Sequence, residues 1–575
     1  MPSLSIDALG VALLAGVLWT LIRRSRKAVL DNIPGPPSES WLNGSLNQLM
    51  NRKAWDFNRH IAETYGGVSR IKGIFGSNAL FVYDPKALHH ILIKVKSPST
   101  LLGYYSLNDP RFMQDQYTYE EPDSVIESNK ILFGEGLFTS LGERHRHHRK
   151  MLNPVFSINH MREMGERSIS TCGSFITHSP SRPKVPIFYD VSHKLENTLV
   201  KMTERGPKEV DILGWNTRLA MELIGQSGLG YTFDTLQEGA IPHPFANASK
   251  QLIPMSGDSP AIMAVWVVPT MTRIGSPRFR RFLVNCMPFK IVRTLRDILD
   301  TIHSTAFEIL ESKKKALREG DEALAEHIGH GKDIISILMK ANMEASGDER
   351  LTDAELLGQI TSLTFAATDT TSGALSRILH LLSTHKDYQS KVREEIRNAK
   401  KENGGEDIEY DTLVSLPLLD AICRETLRLY PPVSNLFRTA VSDIVLPLSE
   451  PIKGLNGDEI HEVAIPKDTQ ICVSILASNR NPKLWGSDSY EWKPERWLNP
   501  LPQPLVDAHI PGVYSHFGFK FSQLEMKVAL ALLLDKLEFS PSDKNVVWHM
   551  TGIVTPHESF ESKYPSLPIV ISRAD

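Results

Sequence analysis

Asp369 and Thr370 stand side by side inside a long apolar stretch, just after the small residues Ala366 and Ala367. A carboxylate beside a hydroxyl can pass protons. A threonine inside a helix can also bond back to the carbonyl four residues earlier, here that of Ala366, which loosens the helical ladder and leaves room for a small ligand or water. The plainer alternative is that both side chains are bonded to backbone or solvent. A second group, Glu425-Thr426-Leu427-Arg428, places a carboxylate and a guanidinium three apart on one helix face. On a surface such a pair is worth about 0–1 kcal/mol. Its neighbours Leu418, Leu419, Ala421, Ile422 and Leu429 indicate burial instead, where breaking the pair costs roughly 3–5 kcal/mol. Arg496, in Pro494-Glu495-Arg496-Trp497, is a second arginine for the same network. The third group is the cationic run Gly142 to Lys150, with His145 and Arg149 four apart on one helical face. They could grip a dianionic group such as paired carboxylates, with Arg438 as a further candidate for the same anion. A solvated basic face is the ordinary reading of such a run.

These residues need elements to hold them. A helix is expected from Thr352 to about His380, opened by Thr352 with Glu355 three residues on, the reciprocal capping arrangement. It would be roughly 42 Å long, enough to cross a large domain. From about 140 to 400 the pattern is helical, as in Leu379, Leu382, Tyr388, Val392 and Ile396. Strands are expected at Val68–Ile74 and Ala79–Tyr83 around the turn Gly76-Ser77-Asn78, with a helix opening at Asp84-Pro85. Further strands are expected at Ile444–Leu448, Glu459–Ile465, Thr469–Ser474 and Leu567–Ser572. The fold class is mainly α with minor β. No internal repeat or long linker divides 33–575, so one integrated domain is expected there, after an N-terminal segment 1–32.

The chain has 575 residues, 41% of them hydrophobic, and can bury a large core. Its net charge of −3 gives no global attraction to nucleic acid. The four cysteines, Cys172, Cys286, Cys423 and Cys472, lie far apart without a Cys-x-x-Cys pair, which argues against a zinc site or a disulfide framework. From Leu4 to Ile22 the residues are apolar or small except Ser5, Asp7 and Thr20, and the run ends at Arg23, Arg24, Arg26 and Lys27. Such a helix spans roughly 28 Å, close to the hydrocarbon thickness of a bilayer. The cations follow the apolar run, so a single-pass signal anchor with a cytosolic body is expected in preference to a cleaved leader. Ile33-Pro34-Gly35-Pro36-Pro37 then reads as a stiff extended spacer. The uncharged segment Ala261–Pro269 could dip into the membrane surface, or be a buried core helix.

In this order the pieces resemble the microsomal type of the cytochrome P-450 family, from the anchor to the C-terminus. Pro34 to Pro37 is similar to the family's hinge. Ala366 to Thr371 is similar to its oxygen-activation motif, with Ala367 where many members carry glycine. Glu425 and Arg428 match its Glu-x-x-Arg pair, and Arg496 matches the arginine that joins them. The resemblance implies that His145, Arg149 and Arg438 contact haem propionates and that Asp369 and Thr370 deliver protons. It implies haem as cofactor and electrons from NADPH through a flavoprotein reductase. It further implies a lipophilic small-molecule substrate and residence in the endoplasmic reticulum membrane.

One motif departs from the family. Phe-x-x-Gly-x-Arg-x-Cys-x-Gly is expected before the last long helix, because a thiolate must hold the iron. This chain reads Pro511-Gly512-Val513-Tyr514-Ser515-His516-Phe517-Gly518-Phe519-Lys520, and the loop looks cut out around His516 and Phe517. Counting back from the final helix puts His516 in the ligand's place, though a neutral imidazole lacks the thiolate's electron push. Counting forward from Pro511 makes it an ordinary residue. Two functions follow: a haem-dependent monooxygenase whose sulfur-bearing loop is missing from this sequence, or a non-catalytic membrane protein of the same fold.

Overall fold

The computed structural model describes residues 28–92, 118–156, 186–256, 271–320, 333–510 and 519–575. The expected anchor Leu4–Ile22, the segment Ala261–Pro269, Cys172 and the stretch Pro511–Gly518 with His516 lie outside the described residues. Among the described residues no helix is long and apolar enough to cross a membrane. The chain divides into two compact units, residues 1–122, 435–489 and 502–513 in the first and 123–434, 490–501 and 514–575 in the second.

The first unit is built on a five-stranded sheet in the order 68–72, 78–82, 470–474, 435–440, 119–120. Val68–Lys72 and Asn78–Val82 form the hairpin expected from their turn residues, with Val68 opposite Val82. Every residue of Asn78–Val82 is buried, as suits a near-continuous apolar run in a central strand. It pairs in parallel with Gln470–Ser474. Helices α1 (Trp55–Tyr65) and α2 (Pro85–Leu92) belong to this unit. Leu30, Ile33, Val68, Leu80, Leu88, Val463 and Ile471 meet in one core, which ties the residues before the proline-rich spacer to the sheet. Ile444–Lys453 pairs with Glu459–Ile465 and runs five residues past its expected end, across a register shift between Pro447 and Ile452. Sequence patterning missed the strand Asn435–Ala440, whose burial does not alternate.

The second unit is mainly helical. It contains α3 (Asp123–Phe133), α4 (Gly142–Leu152), α5 (Pro186–Met202), α6 (Ile212–Leu223), α7 (Pro244–Ser256), α8 (Pro277–Cys286) and α9 (Lys290–Glu319). It continues through α10 (Ile334–Glu344), α11 (Asp353–Thr384), α12 (Lys386–Glu402), α13 (Pro417–Leu429) and α14 (Phe519–Lys536). A three-stranded antiparallel sheet of 208–211, 568–573 and 537–541 and a hairpin of Val547–Met550 with Val554–His557 complete it.

The helix that carries Asp369 and Thr370 is α11, and it starts where the capping signal says. The Thr352 hydroxyl accepts from the Glu355 amide at 3.2 Å, and the Glu355 carboxylate accepts from the Thr352 amide at 2.9 Å. It runs to Thr384, beyond the expected His380, for a length of about 48 Å. Near its start the chain at Glu135-Gly136 crosses it so closely that a side chain on Gly358 would collide with the Glu135 carbonyl oxygen. Two glycines at one crossing are the reason this approach exists. Farther along, the Asn216 amide on α6 donates to the Ser376 hydroxyl at 2.9 Å.

Candidate active site

Most of α11 is sealed, with 358–364 and 371–379 buried throughout. Between them Phe365, Ala366, Ala367 and Thr370 are only half-buried, so the helix opens at its middle, around the small Ala366 and Ala367. The Thr370 hydroxyl donates to the Ala366 carbonyl at 2.7 Å, the back-bond expected from the sequence. Thr364 and Thr368 make the same bond, to Ile360 and Thr364, each at 2.7 Å. Asp369 points into the sealed side and is 6% exposed. Burial pushes its carboxyl up to about 7, against the opposing pull of Lys250 and Ser249 on α7. It is therefore poised to hold or release a proton near neutral pH.

Sequence reasoning did not find a second buried acid, Glu525 on α14, at 1% exposure. Burial raises its carboxyl well above the usual range, with the Thr371 hydroxyl pulling the other way. That hydroxyl itself donates to Ser522 at 3.2 Å, which joins α11 to α14 one residue after Thr370. The apolar run around Glu525 was the only signal for its burial.

The cationic run forms the helix α4. His145 is exposed and Arg149 half-buried, its guanidinium lowered by burial. Arg144 and His148 are the residues of α4 that meet α11. Arg144 binds the Glu355 carboxylate with two donors, and the 1%-exposed His148 meets Glu355 at 3.1 Å and Ser140 at 3.1 Å. Burial of Glu355 raises its carboxyl, but Arg144, Thr352 and His148 outweigh this and bring it down to about 2. The cap of α11 is thus also its tether to α4. In the first unit, Arg438 lies on the strand Asn435–Ala440 and faces Glu121 at 3.6 Å.

Glu425 and Arg428 are both fully buried and joined by two 2.8 Å bonds. Trp497 donates to Glu425 at 3.0 Å, the Lys493 amide at 3.0 Å, and Arg496 approaches at 3.4 Å. Trp492 adds a bond to Thr426 at 3.0 Å. Every lone pair of the carboxylate is addressed, which is what keeps a charge tolerable without water. The network fixes the end of α13 against 490–497 and is scaffold rather than reaction site.

Comparison with known proteins decides the family. The family model described as "Cytochrome P450" matches residues 34–564. The chain belongs to the cytochrome P450 family. It is 45% identical to Cytochrome P450 monooxygenase 91 and 42% identical to Cytochrome P450 monooxygenase 212, both of Postia placenta, over 99% and 97% of each chain respectively. It is also 38% identical to ganoderic acid synthetase CYP5150L8 of Ganoderma lucidum, over 99% of this chain and 98% of the relative. The first of these alignments runs over 583 positions, more than the 575 residues of the chain, so it places gaps in this chain. Membership carries the family's chemistry: these P450 proteins are haem-dependent monooxygenases supplied with electrons by a reductase.

The residues present fit that cofactor only in part. The open middle of α11, with an acid and a hydroxyl beside it, suits the face on which oxygen is handled. Among the described residues the sulfur ligand has no counterpart. Cys423 and Cys472 are fully buried, and burial pushes their thiols up, that of Cys423 to about 12, the opposite of what a thiolate ligand needs. Cys286 is exposed on the surface helix α8. Residues 511–518 contain no cysteine.

Proposed function

We propose that this protein serves as a haem-dependent monooxygenase for a lipophilic small molecule, with electrons from an NADPH-dependent flavoprotein reductase. The haem-ligating sulfur would lie in a loop missing from this sequence between Tyr514 and Phe519. The observation that carries the reading is the opening of α11 at Ala366–Ala367, with the Thr370 back-bond and Asp369 next to it. A haem bound there supplies reductive activation of O2. The chain's own part is protonic: Asp369 keeps a carboxyl proton near neutral pH because it is buried, and the Thr370 hydroxyl is held by the Ala366 carbonyl at the half-open face. His145, Arg149 and Arg438 are the cations proposed to face the haem propionates. The name of the Ganoderma lucidum relative, a ganoderic acid synthetase, supports a lipophilic substrate of this kind.

Residence at the endoplasmic reticulum membrane, with the body cytosolic, is part of the same proposal. The apolar run Leu4–Ile22 and the cations after it support it, and so does the surface at 271–296. There Phe279, Phe282 and Phe289 are exposed by 46%, 61% and 62%. Seven arginines and lysines accompany them, of which Arg273, Arg281 and Arg296 are paired with Asp123, Asp300 and Asp297. Exposed aromatics with Arg278, Arg280, Lys290 and Arg293 close by in sequence suit an anionic lipid interface.

The reading is tested in a chain carrying a cysteine-bearing loop, with reductase and NADPH. Asp369→Asn is expected to lower turnover about a hundredfold, the scale of lost proton transfer, while substrate binding is kept. Unchanged turnover would overturn the assignment.

A further inference from the structure

Where the C-terminal ends of α12 and α14 meet, an open notch of about 470 Å³ is lined by the side chains of Arg397, Lys400, Lys401, Asp535 and Lys536 and by the backbone of Gly404 and Gly405. That volume lies within the range of ligand pockets, roughly 300–1,000 Å³. Four of the five side chains are cations and one is an acid. Lys400 Nζ lies 3.0 Å from Asp535 Oδ2, Lys536 Nζ lies 3.4 Å from the same oxygen, and Arg397 donates to Oδ1 at 3.2 Å. Arg397 also donates to the main-chain oxygens of Asp535 at 2.8 Å and Asp575 at 2.5 Å. Burial raises the Asp535 carboxyl, but Lys400, Lys536 and Arg397 outweigh it and hold the group below the usual carboxylate range, so it is ionised at neutral pH. Two further acids, Asp575 and Glu538, act on Arg393, one turn back on α12, and Glu538 is also paired with Lys386 at 2.6 Å. Two lysines and an arginine thus share one carboxylate, and the exposed Lys401 adds a fourth cation to the lining.

The other wall is bare backbone. Gly404 and Gly405 have φ of +72° and +85°, which residues with side chains rarely adopt, and a Cβ on either would meet nothing within 4 Å. Their amides bond back to the carbonyls of Lys401 and Lys400 at 3.1 and 2.8 Å, which closes the last turn of α12. The loop beyond is fastened to α5: His193 meets the Asp407 carboxylate at 3.0 Å, and the Tyr189 hydroxyl donates to the Ile408 carbonyl at 2.7 Å. Asn403 donates to the Asp407 carbonyl at 2.5 Å from within the loop. The notch is therefore preformed. Helix ends favour cations in their last turns, which accounts for lysines at these positions. It does not account for their lining a fixed hollow that glycines leave open.

We propose that this notch binds a phosphate group, with Lys400, Lys401 and Lys536 as its partners. A phosphate monoester is close to a dianion at neutral pH, with a second pKa of about 6, and so supplies the negative charge that one carboxylate does not. Its oxygens can meet several ammonium groups at once, because lysine acts as a point charge without a fixed fork geometry. A free phosphate anion and the headgroup of a phosphorylated lipid offer the same chemistry.

The test uses the full chain at low salt with inorganic pyrophosphate as the probe, read by lysine acylation with mass spectrometry and by isothermal titration. Pyrophosphate should slow acylation of Lys400, Lys401 and Lys536 about threefold or more and leave Lys391, nearly three turns back on α12, unchanged. Lys401→Glu and Lys536→Gln, both at exposed positions, should weaken pyrophosphate binding about tenfold, while Lys391→Glu, the same change of charge as Lys401→Glu, should have less than about a twofold effect. Phosphatidylcholine vesicles with and without phosphatidylinositol 4-phosphate repeat the acylation experiment. Protection by pyrophosphate and by the phosphorylated lipid assigns the site to a headgroup; protection by pyrophosphate alone assigns it to a free anion. Slowing that includes Lys391, an equal loss in Lys391→Glu, or no binding of pyrophosphate by the unaltered chain overturns the site.

Discussion

Asp369→Asn should stabilise the folded chain, and by an amount that grows with pH. In the unfolded chain an aspartate titrates near 3.8; in the fold its carboxyl is raised to about 7 by burial. Because the folded value is the higher one, the folded state binds the proton more tightly than the unfolded state. Stability therefore falls as pH rises from 3.8 to 7 and is level above that. Each pK unit is worth 1.36 kcal/mol, so the full penalty is about 4 kcal/mol, of which about 3 kcal/mol develops between pH 5 and pH 8. Asparagine keeps the shape of the protonated acid and cannot ionise, which removes the penalty. Urea unfolding of the unaltered chain and the variant, at half-unit steps from pH 5 to pH 8.5, measures the difference directly. A gain in stability that rises by about 3 kcal/mol over this range and then levels off is the expected result. A difference independent of pH would mean that Asp369 ionises normally in the fold, and the proton-holding role would go with it.

Glu355→Gln should act in the opposite pH direction. Its carboxyl is brought down to about 2, so its contribution, about 3 kcal/mol, is present above 4.5 and lost as pH falls toward 2; acid unfolding of the variant should lose that slope. Arg428→Leu leaves Glu425 charged and buried, and should cost roughly 3–5 kcal/mol, read as loss of soluble folded chain or a large drop in the urea midpoint. A cost under 1 kcal/mol would show the pair to be solvated. Arg280→Glu with Arg281→Glu should weaken binding of the full chain to phosphatidylserine-containing vesicles at low salt and leave binding to phosphatidylcholine vesicles unchanged. Equal loss on both would remove the electrostatic part of the membrane reading.

What the sequence disclosed, it disclosed through local signals. The capping pair Thr352 and Glu355, the back-bond of Thr370 and the spacing of Glu425 and Arg428 are set within four residues, and each has the partner expected. The other partners of Glu355 are not local: Arg144 and His148 come from more than 200 residues away. Which residues of α4 meet α11 is decided by the packing of the two helices rather than by charge pattern. The strand at Asn435–Ala440 was missed because five of its residues are half-buried and the last is fully buried, so period-two alternation is absent. Neither the glycine crossing at Gly136 and Gly358 nor the stacking of Arg377 between Tyr430 and Trp548 leaves a trace in spacing. Both depend on which elements meet, and that is fixed only by the assembled core.

The most direct measurement is the reduced carbon monoxide difference spectrum of two polypeptides, the chain as written and the same chain with a Phe-x-x-Gly-x-Arg-x-Cys-x-Gly loop inserted between Tyr514 and Phe519. The thiolate-type Soret band is expected only from the second. Its appearance in the chain as written, or its failure to appear after the loop is inserted, would contradict the account.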